Sequence, residues 1–353
     1  MKTPHVIMAL SLVVGIYFSG PVVQFPAMDV SHVNALPQAP SELDAWLIAK
    51  ESAFQNIKKN NEKTIVWANN KREKTPWSVV YIHGFSSSRL ETAPLAERVG
   101  QSLHANVFYT RLTGHGQEPK DLGEATPNDW MNDYWEAIAI GQRLGHRVLV
   151  ISCSTGSTIA TLASSSGALL RQASSGQNAP GAAPHLAAPE NAPEHAPQAH
   201  VFISPNFGPK DPRAEIILTP WGQELAFWIE GQTHRSPSEG PEEDLGWYKE
   251  YPTKALFPMM YMVKMARESH LENFTHPLLV LYSERDQVVD VKRIKTAFNA
   301  MEASPKTLVA VDYSESLNQH VLAGRIKAPK ALSPMAEEIT QWVKTLDASQ
   351  GFK

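Results

Sequence analysis

Seven short runs of apolar and β-branched residues recur along this chain, each set off from the next by polar, turn-forming or helix-patterned sequence. They are "TIVWA" from residue 64, "SVVYIHGF" from 78, "NVFYTRL" from 106, "RVLVIS" from 147, "HVFISP" from 200, "PLLVLYS" from 277 and "TLVAVDYS" from 307. Strands that are apolar on both faces must be covered on both sides, and long helical segments between them make the sheet parallel. The intervening patterns, such as "ETAPLAERVGQSLH", "NDWMNDYWEAIAIGQRL", "STIATLASSSGALL", "VKRIKTAFNAM" and "PMAEEITQWVKTL", have the helical period. The expectation is one α/β domain over residues 41–345, which a chain of 353 residues with 42% hydrophobic content can supply with a sizeable core. It opens with a helix in "PSELDAWLIAKESAFQNI", with Ser41 as its cap.

Two stretches interrupt this rhythm. Residues 173–198, "ASSGQNAPGAAPHLAAPENAPEHAPQ", are dominated by Ala, Pro, Gly and polar residues and read as a disordered surface insertion. His185 and His195 lie within it without a recurrent metal-ligand spacing, and read as solvated. Residues 208–275 hold helical and turn signals but no run that reads as a strand, and they are rich in Trp, Phe, Tyr and Met. They form a cap between two sheet strands. Part of that apolar content packs the cap itself.

The N-terminus carries Lys2 and then "VIMALSLVVGIYF", with no Asp, Glu, Lys or Arg between 3 and 28. Residues 1–23 read as an export or anchoring segment and residues 24–40 as a tether. "YFSGPVVQFPAM" puts bulky residues where a cleavage site needs small ones, which favours an uncleaved anchor. A membrane-anchored protein with an exported, periplasmic or extracellular domain is the expectation, or a secreted one if the segment is cleaved. A net charge of −4 leaves no basic excess for phosphates, so nucleic acid is not an expected partner. The one cysteine, Cys153, can form no intramolecular disulfide and lacks the partners of a zinc site.

Parallel α/β sheets bind ligands at the carboxyl ends of their strands. Three clusters fall there: "HGF" at 83–85, "GHG" at 114–116, and "SCSTG" at 152–156, where an apolar strand breaks into small polar residues around Ser154. In this order, these motifs resemble an α/β-hydrolase of the monoglyceride-lipase, carboxylesterase and serine-aminopeptidase-like group, with "SCSTG" in place of GxSxG. The resemblance covers roughly residues 60–345. It implies a mostly parallel central sheet with helices on both faces and a helical cap inserted after the sixth strand.

The same resemblance implies site residues. Ser154 is the nucleophile, exposed on a sharp strand-to-helix turn where small neighbours are needed. Gly156 meets that need on one side, whereas Ser152 replaces the usual glycine on the other. The backbone N–H groups of Phe85 and Thr155 form the oxyanion hole. "ERDQVVD" offers Glu284, Asp286 and Asp290, and the family pattern of Asp followed closely by Val selects Asp286, with Glu284 in reserve. His320, followed by Val321, is the base, while His83 and His115 hold their loops by hydrogen bonds. Trp221, Trp228 and Met260 of the cap are expected to wall the substrate pocket.

The function implied is a serine hydrolase cleaving lipid-like or medium-chain acyl esters, needing neither metal nor organic cofactor. A peptidase or amidase of the aminopeptidase type is the alternative, with Glu242, Glu243 and Asp244 available to hold a substrate amine. A catalytically inactive, membrane-tethered binding module is the alternative from outside the enzymes.

Overall fold

All seven apolar runs become strands of one sheet: β1 (Thr64–Val66), β2 (Thr75–Ile82), β3 (Asn106–Tyr109), β4 (Gly145–Cys153), β5 (Ala199–Ile203), β6 (Leu278–Tyr282) and β7 (Lys306–Ala310). Their spatial order is β7-β6-β5-β4-β2-β3-β1, parallel throughout except β1, which runs antiparallel to β3. The structure, a computed structural model, describes residues 14–26, 28–29, 36–174, 186–187 and 196–349.

The central strands are apolar on both faces because helices cover both. Val80, Ile82, Phe108, Val148, Val150 and Phe202 face one core; Val79, Tyr81, Val107, Leu149, Ile151 and Val201, one residue out of phase, face the other. Helices α3 (Pro127–Leu144), α4 (Thr155–Ser174) and α7 (Val291–Ala300) lie on the first face, and α2 (Leu95–Leu103) and α8 (Leu332–Ser349) on the second. Local chemistry sets their starts: Thr126 and Asp129 form a capping box with Pro127 at the first position of α3, and Asp290 caps α7. Ser41 does not cap α1 (Leu43–Glu51); it lies inside a 3-10 turn, Pro40–Glu42, that leads into the helix.

The cap lies between β5 and β6, so it follows the fifth strand of this sheet rather than the sixth. The count implied by resemblance exceeds by one the strands this chain pairs. Its helices are α5 (Gly222–Glu230) and α6 (Leu256–Glu268), with a 3-10 turn at Pro212–Leu218 and a short helix at Pro241–Gly246. Thr233–Arg235 and Glu250–Pro252 pair as an antiparallel ribbon that hydropathy did not announce, because its residues are mostly polar and partly exposed.

The N-terminal segment packs on this cap. Residues 14–18 are helical, Trp221 donates its backbone N–H to Pro21 O at 2.9 Å, and Val23 is buried with Ile217, Ala226, Phe257 and Met260. Phe25, at the start of the expected tether, stacks on Tyr261 at 5.1 Å. No helix among the described residues is long and apolar enough to cross a membrane. Helix α4 continues through Ser174 into the Ala/Pro-rich insertion, and Leu186–Ala187 pair with Met28–Asp29. Residues 175–185 and 188–195 of that insertion, with both of its histidines, lie outside the described residues.

Candidate active site

Strand β4 ends at Cys153 and α4 starts at Thr155, leaving one residue for the reversal. That residue, Ser154, takes φ +50°, a left-handed conformation costly for a side chain and characteristic of a nucleophile turn. The turn is tied down on both sides. Ser154 N–H donates to Ile203 O at 2.9 Å, and Ser154 O accepts from Ser157 N and Asn206 N at 3.0 and 3.1 Å. Gly156 is required: a Cβ there would lie 2.4 Å from Ile82 O and 2.7 Å from His83 O. Ser152 fits because its hydroxyl is paired inside the turn. It lies 2.9 Å from Ser157 Oγ, which in turn donates to Ser152 O at 3.1 Å.

Asp286 and His320 meet directly. Asp286 is fully buried; its Oδ1 accepts the N–H groups of Val288 and Val289 at 2.7 and 2.9 Å, and its Oδ2 lies 2.8 Å from His320 Nδ1. A carboxylate that accepts at Oδ2 keeps the proton on Nδ1 and leaves Nε2 as a base. The reserve, Glu284, is engaged with Lys295 and Tyr282 OH, and Asp290 with the N-terminus of α7. Ser154 forms no hydrogen bond with His320 among the described residues, a link that in unliganded enzymes often tightens only with substrate. Both follow the carboxyl ends of parallel strands, Ser154 after β4 and His320 after β7. Gly84 is close enough that a Cβ there would be 3.2 Å from Ser154 Cβ, and Glu91, which binds Gly84 N–H, lies within electrostatic range of His320.

The "HGF" and "GHG" loops are joined by their histidines. His83 Nε2 accepts Leu112 N–H at 3.0 Å, so its proton is on Nδ1 and is donated to Gly84 O at 2.8 Å. His115 Nε2 accepts Ser86 N–H at 3.1 Å, with Nδ1 3.2 Å from Thr113 O. Burial pushes His83 down to about 4 and His115 well below its ordinary value, so both rings are neutral ties. Phe85 packs edge-on against Tyr251 and Trp130. Among the described residues neither Phe85 N–H nor Thr155 N–H has an acceptor. Two unused amides next to a half-buried serine, one of them at the start of α4, suit an anion.

The cap residues require correction. Trp228 is 84% exposed on the outer side of α5, and Trp221 gives its indole N–H to Ile16 O at 3.0 Å, so both face the N-terminal segment or solvent rather than a pocket. Met260 is buried inside the cap's own core. One position earlier on α6, Met259 Sδ lies 3.6 Å from Asn206 Nδ2, whose residue binds the Ser154 carbonyl. Asn206 comes three residues after the end of β5, in "SPNFGP", where the strand-end rule points. Glu91 had no such signal: it is seven residues past Gly84 in a helical-looking stretch.

The family described as Serine aminopeptidase, S33 matches residues 73–314, more than half of the chain. No curated protein matches the chain in sequence. Among solved structures it resembles one reported with the metagenome-derived lipolytic enzymes LipS and LipT, at 18% identity and TM-score 0.60 over 82% of this chain and 99% of that one. A soluble variant of monoglyceride lipase from Saccharomyces cerevisiae aligns at 11% identity and TM-score 0.54, over 80% of this chain and 91% of that one. Est1E from Butyrivibrio proteoclasticus, with ferulic acid bound, aligns at 13% identity and TM-score 0.51 over 83% and 99%. At these identities the structures establish the fold, and with the family match they identify the chain as a member of the serine aminopeptidase S33 family of α/β-hydrolases.

Proposed function

We propose that the protein hydrolyses carboxylic esters through an acyl-enzyme on Ser154. The observation that carries this reading is the buried Asp286–His320 pair at 2.8 Å, together with Ser154 held at φ +50° in the strand-to-helix turn. His320 Nε2 takes the Ser154 proton as the hydroxyl attacks the ester carbonyl, and returns it to the departing alcohol. Phe85 and Thr155 N–H groups hold the oxyanion; each donor of this kind typically contributes about 2.7–4 kcal/mol to lowering the barrier. Water then attacks the acyl-enzyme by the same route.

An uncharged acyl group would be walled by apolar side chains such as Phe85, packed edge-on against Tyr251, and Met259, 3.6 Å from Asn206. The aminopeptidase alternative loses its main support. Glu243 is buried, and Lys249 and Lys327 hold its carboxylate below the ordinary range against the upward push of burial. Glu242 and Asp244 are exposed.

A fluorophosphonate probe tests the reading. Labelling of the full-length protein that disappears in Ser154→Ala is expected; absence of labelling, or equal labelling of the variant, supports the inactive binding module instead. Nitrophenyl esters against aminoacyl anilides then separate esterase from peptidase.

Membrane attachment is part of the same proposal. The charge-free N-terminal run leads into residues that pack on the cap, and Phe18, Trp228 and Ile229 stay 72%, 84% and 61% exposed. Exposed aromatic and aliphatic groups continuous with an apolar segment suit a lipid surface. Full-length protein is expected to float with phosphatidylcholine vesicles; recovery wholly in the soluble fraction would refute attachment.

A further inference from the structure

We propose that Glu91 is a positioning residue for the reaction, acting through Ser87 and the Gly84–Phe85 peptide on the Phe85 N–H. The proposal rests on the reading of Phe85 as an oxyanion donor. Glu91 sits in a one-turn 3-10 helix, Arg89–Glu91, that follows the "HGF" loop, and only 2% of its surface is exposed. Its Oε1 accepts Gly84 N–H at 2.7 Å and Tyr81 OH at 2.8 Å, while its Oε2 lies 2.5 Å from Ser87 Oγ. Ser87 Oγ also reaches Gly84 O, at 3.0 Å. Gly84 is therefore held at its N–H by Glu91 and at its carbonyl by Ser87 and His83.

That carbonyl belongs to the same amide as Phe85 N–H. Donors aimed at the oxygen of an amide polarise it and strengthen its N–H as a donor. The clamp thus fixes the direction of the Phe85 N–H before substrate arrives, the kind of preorganisation that makes an oxyanion hole effective.

Counting hydrogens gives the chemical state of the clamp. The Ser87 hydroxyl has one hydrogen but faces two acceptors, Gly84 O and Glu91 Oε2. Both contacts are satisfied when Glu91 carries a proton on Oε2 and donates it to Ser87 Oγ, freeing the Ser87 hydrogen for Gly84 O. Among the described residues no lysine or arginine pairs with Glu91; its titratable neighbours are Tyr81, Cys153 and His320. Burial raises the carboxyl's pKa in the direction that keeps it neutral, against the pull of Ser87, Tyr81 and Gly84 N–H.

Nitrophenyl butyrate hydrolysis, together with binding of a trifluoromethyl ketone that mimics the tetrahedral adduct, tests this. Glu91→Ala is expected to lower kcat about tenfold to hundredfold and weaken the ketone in parallel, with KM changed less than about twofold. Glu91→Gln, whose amide accepts from Gly84 and donates to Ser87, restores kcat to within about threefold of the parent protein. Ser87→Ala, which removes a single hydroxyl, loses several-fold in kcat. Unchanged kcat in Glu91→Ala overturns the proposal, as does a Glu91→Gln variant as impaired as Glu91→Ala, because a charge would then be what matters. If Glu91→Ala does not fold, Ser87→Ala decides alone, and normal kcat in it refutes the clamp. Fluorophosphonate labelling of the parent protein at Ser154 keeps the two levels apart: without it the hydrolase reading fails, and with it only the role of Glu91 is in question.

Discussion

Two of the buried polar clusters among the described residues differ in kind, and only one of the pair has the form proposed for an active site. Around a cavity of about 190 Å³ next to α1 and α3, Lys63 pairs with Asp133 and Glu136, Lys50 with Glu136, and Arg111 with Glu51. Burial acts to depress Lys63, but Asp133 and Glu136 outweigh it and raise the amine above its ordinary value. Burial likewise pushes Glu136 up, and the two lysines outweigh it and hold it at about 2. The ions answer one another, and the result is a tie between α1, β1 and α3. At the other cluster, Asp286 is fully engaged, yet His320 Nε2 and the amides of Phe85 and Thr155 have no partner among the described residues. Shifted acid–base groups therefore do not by themselves mark a site. Donors and acceptors left unused after the carboxyl ends of the strands are what the proposed site has and the ion cluster lacks.

Variants that disturb each cluster should break this contrast if it is wrong. The largest effect is expected from Asp286→Asn, which disorders the His320 tautomer and should cost about 10⁴-fold in kcat by analogy with other triads, as steady-state kinetics would show. Glu284→Gln, away from the site, should leave kcat at the parent value; the opposite pattern would reassign the acid. Lys63→Met leaves Asp133 buried without its cation and Glu136 with Lys50 alone, and should lower stability by about 3–5 kcal/mol in urea titrations, with kcat per folded molecule retained. A loss of kcat at full folding would bring the ion cluster into the mechanism.

Acid should act on the loop histidines next. His83 gains its proton near 6.5 in an ordinary setting but only near about 4 in the fold, so over that interval the unfolded chain binds more protons. Stability should hold above about 6.5, fall as pH drops towards about 4, and do so less steeply in His83→Asn; urea midpoints across this range report it. The smallest effect is expected from Ser152→Gly. Restoring the family's glycine removes the contact with Ser157 Oγ, so stability should fall by about 1 kcal/mol while kcat stays close to the parent value.

The strands were legible because each is buried on both faces, which leaves little room for polar residues in "VLVISC" or "LLVLY". Ser154, Asp286 and His320 were legible for a different reason: each follows a strand of that readable sheet, in the chain order of the family. Cap residues were not. Met259 and Met260 are adjacent and equally apolar, and only the placement of α6 turns the first towards Asn206 and the second into the cap core. Trp228 looked like a pocket wall because nothing in its neighbourhood of sequence says which side of α5 is covered.

By itself, then, the amino-acid order determined a parallel α/β sheet, its strand positions and the carriers of the proposed reaction, since burial and turn geometry restrict residue type locally. Tertiary structure alone decided three matters. Glu91 comes under Gly84, Ser152 finds Ser157 across the turn, and Lys63 reaches Asp133 and Glu136 some seventy residues away. Such contacts join side chains whose meeting depends on how helices and loops pack, and packing direction is a property of the partner surface rather than of either sequence segment.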